Sequence, residues 1–302
     1  MSKSNELAVA EKQRLVGQLQ VAETEKRFAT EQVTRMQEEV KTEREEKAKL
    51  AEGVKALASK SGELTKEIRE NRPLTANMIF NEFVTNRVQA RFDAFRSGLL
   101  GSSRRRDTQT VLASDGTNIF ALCHAQDTPL TLWNPGADWD QITGFLLRNT
   151  ASVPIQSVSF YLRDPRIVLI PVTTAEARQL GGVTYRISSE PYKFQDAVLM
   201  GTREDYYGEC RFEIDLTTPE YVKLDHNFIK GLFGKFNPSR GDLVFSKTGE
   251  LLGIMANATY CMMIHSFDAA ASIRFGDVAK QHTGDTLSIL YTMVTGLPSK
   301  LQ

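Results

Sequence analysis

The chain is poor in the features that announce a chemistry. Its three cysteines, Cys123, Cys210 and Cys261, stand far apart in 302 residues with no CxxC pair. An odd, scattered set of this kind reads as buried free thiols and excludes a disulfide framework or a thiolate zinc site. Compartment stays open on that count, since secreted proteins can also lack disulfides. His226, His265 and His282 fall at no ligand spacing with cysteines or acids, so no metal is expected. There is no P-loop and no dinucleotide GxGxxG, and no cofactor is expected. Lysine plus arginine number 37, as do aspartate plus glutamate, and this balance excludes a general nucleic-acid or acidic-membrane binder. No stretch approaches the roughly 18 apolar residues of a membrane span. The first residues form no apolar signal-peptide core. As written, the sequence reads as a soluble cytoplasmic protein, or as a periplasmic or secreted one if an upstream signal segment was removed.

Proline is absent before Pro73, and a different order fills that stretch. Leu15, Leu19, Ala22, Lys26, Ala29, Val33, Met36, Val40, Glu43, Lys47, Leu50, Val54, Leu57, Ser61, Leu64 and Ile68 recur in alternating steps of four and three. That spacing keeps one stripe facing a partner helix and predicts a coiled-coil rod over 1–72. Self-association through residues 15–68 is expected, along a rod of about 80 Å. Lys26, Glu43, Lys47 and Ser61 place polar groups in the seam, which favours a dimer or trimer with fixed register over a large bundle. The alternative is a single solvated helix rich in Glu–Lys pairs. Gly53 and Gly62 each weaken the helix by roughly 1 kcal/mol relative to alanine.

Beyond Pro73 the composition turns to valine, isoleucine, phenylalanine and glycine. Phe80, Val84, Val88, Phe92, Phe95 and Leu99 recur at three-to-four spacing and predict an amphipathic connecting helix within 73–101, ended by Gly98 and Gly101. Arg104, Arg105 and Arg106 read as a solvated loop. From Thr108 short β-rich runs alternate with turn residues. They include Asn118–His124, Leu130–Trp133, Ile142–Arg148, Val158–Arg163, Ile167–Val172, Tyr221–Leu224 and Leu251–Met255. Leu287–Val294 reads as a short closing helix or a strand. The expected fold is a mainly β domain over 102–302, a barrel or sandwich, behind a long α-helical coiled coil.

One segment carries chemistry. Asn237-Pro238-Ser239-Arg240-Gly241-Asp242 leads into Leu243-Val244-Phe245, a turn at Ser246–Gly249, and Leu251-Leu252-Gly253-Ile254. It resembles the nucleophile region of trypsin-like serine proteases, G-x-S-G-G-P followed by a strand, a turn and L-V-G-I. Upstream, Ile119–Ala125 is similar to the family's strand ending in T-A-A-H. The resemblance implies two six-stranded barrels with a site in the cleft between them, Ser239 as nucleophile, His124 as general base, and an oxyanion loop at Asn237 and Ser239. The order His then Ser agrees with the chymotrypsin-type order.

The departures are specific. The family's orienting aspartate opens a strand of the type D-L-A-L-L-x-V. The stretch matching it is Arg166–Val172, which sets Arg166 where the acid belongs and leaves Asp164 two residues earlier as the alternative. A guanidinium there disfavours the imidazolium that the reaction must form. Arg240 stands where the family has glycine, Asn237 likewise, and Asp242 stands for its proline. Asn237 is tolerable where φ must be positive, whereas Arg240 sets a charge near the cleft. The expected function is therefore an oligomeric scaffold whose degenerate trypsin-like domain binds a peptide or protein segment. The alternatives are an active serine endopeptidase using Ser239, His124 and Asp164, and a structural β-domain unrelated to proteases.

Overall fold

The computed structural model describes residues 73–98, 101–132, 139–225, 230–233, 237–278 and 281–302, with scattered positions between 17 and 55. The chain divides into two compact units, Met1–Ile68 and Arg69–Gln302. Every described position of the first unit is helical and exposed. Ion pairs of 3.0 Å join Glu31 to Arg35 and Glu43 to Lys47, each four residues apart. The stripe residues Met36, Val40 and Leu50 are exposed to 66%, 47% and 71%. Leu15, Leu19, Ala22, Ala29, Val33 and the stripe from Val54 to Ile68 lie outside the described residues.

In the second unit Thr75 caps helix α1 (Ala76–Asn86) by accepting from the Met78 N–H, and Ala76, Ile79, Phe83 and Asn86 form its buried face. The amphipathic helix expected within 73–101 stops there. Val88–Arg96 is strand β1, with Val88, Ala90, Phe92 and Ala94 buried and the residues between them half-exposed. A four-residue step such as Val84, Val88, Phe92 is close to one helical turn and is also two strand periods, so spacing alone does not separate the two. Strand partners decided it: β1 pairs with β2 (Ser102–Thr110) from Val88↔Thr110 to Arg96↔Ser102. The arginines expected in a loop thus sit on a strand, with Arg105 on Asp93 at 2.6 Å and Arg91 on Asp107 at 2.8 Å.

The first β module continues through β3 (Leu112–Ser114), β4 (Ile119–His124), β5 (Gln141–Arg148), β6 (Ala151–Pro154), β7 (Ser157–Tyr161), β8 (Ile167–Val172), helix α2 (Thr174–Leu180) and β9 (Thr184–Arg186). Leu130 and Leu132 are buried but form no strand, and Trp133 lies outside the described residues. The second module holds β10 (Asp196–Met200), β11 (Tyr207–Ile214), β12 (Tyr221–Leu224), β13 (Lys230–Phe233), β14 (Leu243–Ser246), β15 (Leu251–Met255) and β16 (Tyr260–Met263). The chain then returns to the first module with β17 (Ala269–Arg274) and β18 (Gly276–Asp277), and ends on helix α3 (Thr283–Thr295), which resolves the Leu287–Val294 ambiguity as helix.

The second module is a closed barrel in the order β10-β14-β15-β16-β12-β11, sealed by β10 on β11, with β13 attached to β11. Alternation sorts its side chains: Ala197 and Leu199 point into the barrel, while Val198 and Met200 join the apolar cluster shared with the first module. The first module differs from the barrel that the resemblance implied. Its strands form a five-stranded and a six-stranded sheet with no pairing that closes them into a ring among the described residues. Phe92, Ile142 and Leu146 of one sheet face Ala121, Phe160 and Ile170 of the other across a common core. Between the modules, Leu122, Ile167 and Leu169 pack with Phe245, Ile254, Met262 and the α1 residues Ile79 and Phe83.

Candidate functional site

Strand β4 delivers His124 to the border between the modules, where it is 1% exposed. It caps a 3-10 turn, Ala125–Asp127, by accepting the Gln126 N–H at Nδ1 over 3.2 Å. That bond requires a lone pair on Nδ1 and so places the proton of the neutral ring on Nε2, which has no hydrogen-bond partner. Burial, then the charges of Arg166, Arg240 and Arg203, push the His124 pKa down to about 3, against the backbone of Ala256, which favours the protonated ring.

The neighbouring strand β8 pairs His124 with Ile167, and the Ala125 N–H donates to the Arg166 carbonyl at 2.7 Å. Arg166 and Asp164 are both buried, at 8% and 0% exposure. The guanidinium closes a fork on the carboxylate, Nε to Oδ1 at 2.9 Å and Nη2 to Oδ2 at 2.8 Å. The Arg166 N–H adds a third bond at 3.0 Å and the Tyr221 hydroxyl a fourth at 2.9 Å. Burial opposes the charge on Arg166, but Asp164 outweighs it and leaves the guanidinium pKa above its ordinary value. Burial and then the Asp164 charge push the Tyr221 phenol up.

Ser239 arrives from the second module on the loop before β14. Its N–H donates to Asp242 Oδ2 at 2.7 Å and its hydroxyl to the same carboxylate at 3.3 and 3.4 Å. Asp242 is fully buried and also receives the Thr202 N–H at 3.3 Å and the Tyr206 hydroxyl. Burial drives its pKa up to about 6, and the donors only partly offset this. Asn237 is exposed, and its carbonyl accepts from Tyr206 at 2.9 Å. Residues 234–236 lie outside the described residues.

The loop does reach the histidine. At Gly241, with φ of +87°, a Cβ would stand 2.9 Å from Asp127 Oδ2 and 3.3 Å from His124 Cβ. Only glycine fits there, for space and for backbone. Asp127 is itself buried, held by Arg203 at 2.6 Å through Oδ1, with no partner on Oδ2. Burial raises its pKa against the pull of Arg203. His124, Arg166, Arg240, Ala256, Asn257 and Gln302 line a cleft of about 300 Å³, which Ser239 and Asp164 do not line. The arrangement thus brings His124, Arg166 and the loop's Gly241 together. It directs the Ser239 hydroxyl to Asp242 and the Asp164 carboxylate to Arg166 and Tyr221. Asp127, Arg203, Tyr206 and Tyr221 were not singled out by sequence for this site, since single polar residues on distant strands leave no local signature.

Among the described residues no group of three or more His, Cys, Asp or Glu side chains converges to hold a metal ion. Cys123, Cys210 and Cys261 are free and buried. No helix of the described residues is long and apolar enough to cross a membrane. No family model and no curated protein sequence matches the chain. Among solved structures it is similar to an HtrA-type protease, a variant of AlgW with a decapeptide, at TM-score 0.39 and 10% identity over 63% of this chain. The chain spans 63% of the length of that protein. It is also similar to the serine endoprotease from Yersinia pestis, at TM-score 0.35 and 12% identity, covering 74% of this chain and 68% of that one.

Proposed function

We propose that this chain is an oligomeric coiled-coil scaffold carrying a degenerate, non-catalytic trypsin-like domain whose cleft binds a peptide or protein segment. The observation that carries the reading is the fork of Arg166 on Asp164 beside His124. Acyl transfer by a serine needs an acid that steadies the imidazolium. Here Asp164, the acid that the resemblance offers, is committed to a guanidinium, and that guanidinium's charge opposes protonation of the ring. Asp242 works in the same direction, because it holds both the hydroxyl and the N–H of Ser239. In the family the hydroxyl attacks and that N–H stabilises the oxyanion. The closed barrel of the second module supports a trypsin-like reading over an unrelated β-domain.

One observation favours the runner-up, an active serine endopeptidase: the Ser239 loop packs directly on His124 through Gly241. A fluorophosphonate serine-hydrolase probe decides between them, applied to wild type and Ser239→Ala beside an active trypsin control. The expected result is no labelling of either form. Labelling of wild type that is lost in Ser239→Ala overturns the non-catalytic reading.

A further inference from the structure

Arg166 has a second partner besides Asp164. Its Nη1 donates to the carbonyl of Leu301, a residue 135 positions away along the chain. Asn257 adds donors to the Lys300 and Leu301 carbonyls at 3.4 and 3.3 Å. Arg166 and Asn257 are both walls of the cleft that contains His124. The Leu301 side chain is completely buried in the apolar cluster between the modules, although Lys300 and Gln302 on either side are exposed. The Lys300 side chain has its own partners: its ammonium meets Asp215, lies 2.7 Å from Thr217 Oγ1, and sits 5.9 Å from the centre of the Tyr260 ring.

These intrachain contacts combine the elements by which proteins hold peptides: one apolar anchor, one charged side chain matched by an acid and an aromatic face, and backbone carbonyls held by buried or half-buried donors. They also account for Arg166. A lysine at that position could neutralise Asp164, but only a planar guanidinium fork can hold the carboxylate through Nε and Nη2 and still offer Nη1 to a carbonyl.

We infer that the surface formed by Arg166, Asn257, Asp215 and Tyr260, which shares Arg166 and Asn257 with the cleft beside His124, is a peptide clamp for segments in which a lysine precedes a large aliphatic residue, and that Pro298–Leu301 is its resident ligand. This rests on the peptide-binding reading above and names the ligand class. A tethered occupant competes at an effective concentration of about millimolar. Peptides supplied in trans therefore bind the intact chain weakly until the resident copy is loosened.

The test uses the full chain and a fluorescein-labelled peptide Leu-Pro-Ser-Lys-Leu-Gln, blocked at both ends, followed by anisotropy. The chain carrying Lys300→Ala and Leu301→Ala together is expected to bind it at least about tenfold more tightly than wild type. In that background Arg166→Lys, or the fold-sparing Asp215→Asn, weakens binding about five- to tenfold, and a peptide with glutamate for its lysine does not bind. Binding no tighter than wild type, or indifferent to Asp215→Asn, overturns the clamp. Hydrogen exchange of residues 297–302 in the otherwise wild-type Asp215→Asn chain reads the resident contact alone. Faster exchange without any binding in trans overturns the peptide-binding reading of the cleft, and unchanged exchange overturns the resident ligand.

Discussion

Acid should unfold the β unit partly through one histidine. His124 is buried and neutral, with a folded pKa of about 3 against an ordinary value of 6.5. A histidine depressed in this way binds its proton more readily in the unfolded chain. Its contribution to stability is complete above about pH 6.5 and is lost as pH falls toward 3. The whole window corresponds to about 5 kcal/mol at 1.36 kcal/mol per unit, and the part between pH 7 and pH 5 to about 2 kcal/mol. The perturbation is His124→Gln, which retains an acceptor for the Gln126 N–H but does not titrate. Urea unfolding of both proteins is followed by tryptophan fluorescence at pH 7 and at pH 5. Comparing each protein with itself across pH cancels the cavity and capping effects of the substitution. The wild type is expected to lose about 2 kcal/mol more than His124→Gln over that interval. Equal losses would refute the reasoning, because they would require a histidine with near-ordinary solvation or one compensated by an anion.

Asp242 acts with the opposite sign. Its folded pKa of about 6 lies above the ordinary 3.8, so its contribution is greatest below pH 3.8 and is lost as pH rises through 6. Wild type should gain about 3 kcal/mol from this group between pH 8 and pH 3.5, and Asp242→Asn should lack that gain in the same urea assay. Removing Arg166 alone, as Arg166→Met, leaves Asp164 buried without its counterion and should destabilise the fold by about 3–5 kcal/mol. Adding Asp164→Asn should recover most of that loss in a thermal-melt cycle; additive losses would show that the two side chains do not couple. Deleting residues 1–72 should reduce the mass measured by light scattering from a dimer or trimer to a monomer. An unchanged stoichiometry would make the N-terminal segment a single solvated helix.

Much of this molecule's local order is legible in its sequence. Ile167–Val172, Tyr221–Leu224 and Leu251–Met255 are strands at the expected bounds, because short β-branched runs closed by turn residues leave little other choice. His124 closes its strand as the run Asn118–His124 predicts, whereas its nearness to Arg166 comes from the pairing of β4 with β8. The sequence misleads where one spacing serves two periods. Val88 and Phe92 fit a helical spacing and lie on β1, since backbone pairing with β2 and β5 decides between the periods and involves residues far along the chain. The four-three stripe of 15–68 is a spacing in the sequence, and most of its positions lie outside the described residues.

The sequence alone established a mainly β chain and a four-three stripe ahead of it; the pairing of His124 with Ser239, and Arg166 in the place of an acid, are what its resemblance to trypsin-like proteases implies. The β runs and the stripe are properties of composition and short spacing, which act between near neighbours. Only the tertiary structure decided which acid each group meets. Asp164 is bonded by Tyr221 from 57 positions away, and Arg166 reaches a carbonyl 135 positions on. The Ser239 hydroxyl goes to the buried carboxylate three residues on, which is also held by Tyr206 and Thr202. Burial sets those choices, because a polar group removed from water must find a partner wherever the packing of two β modules puts one.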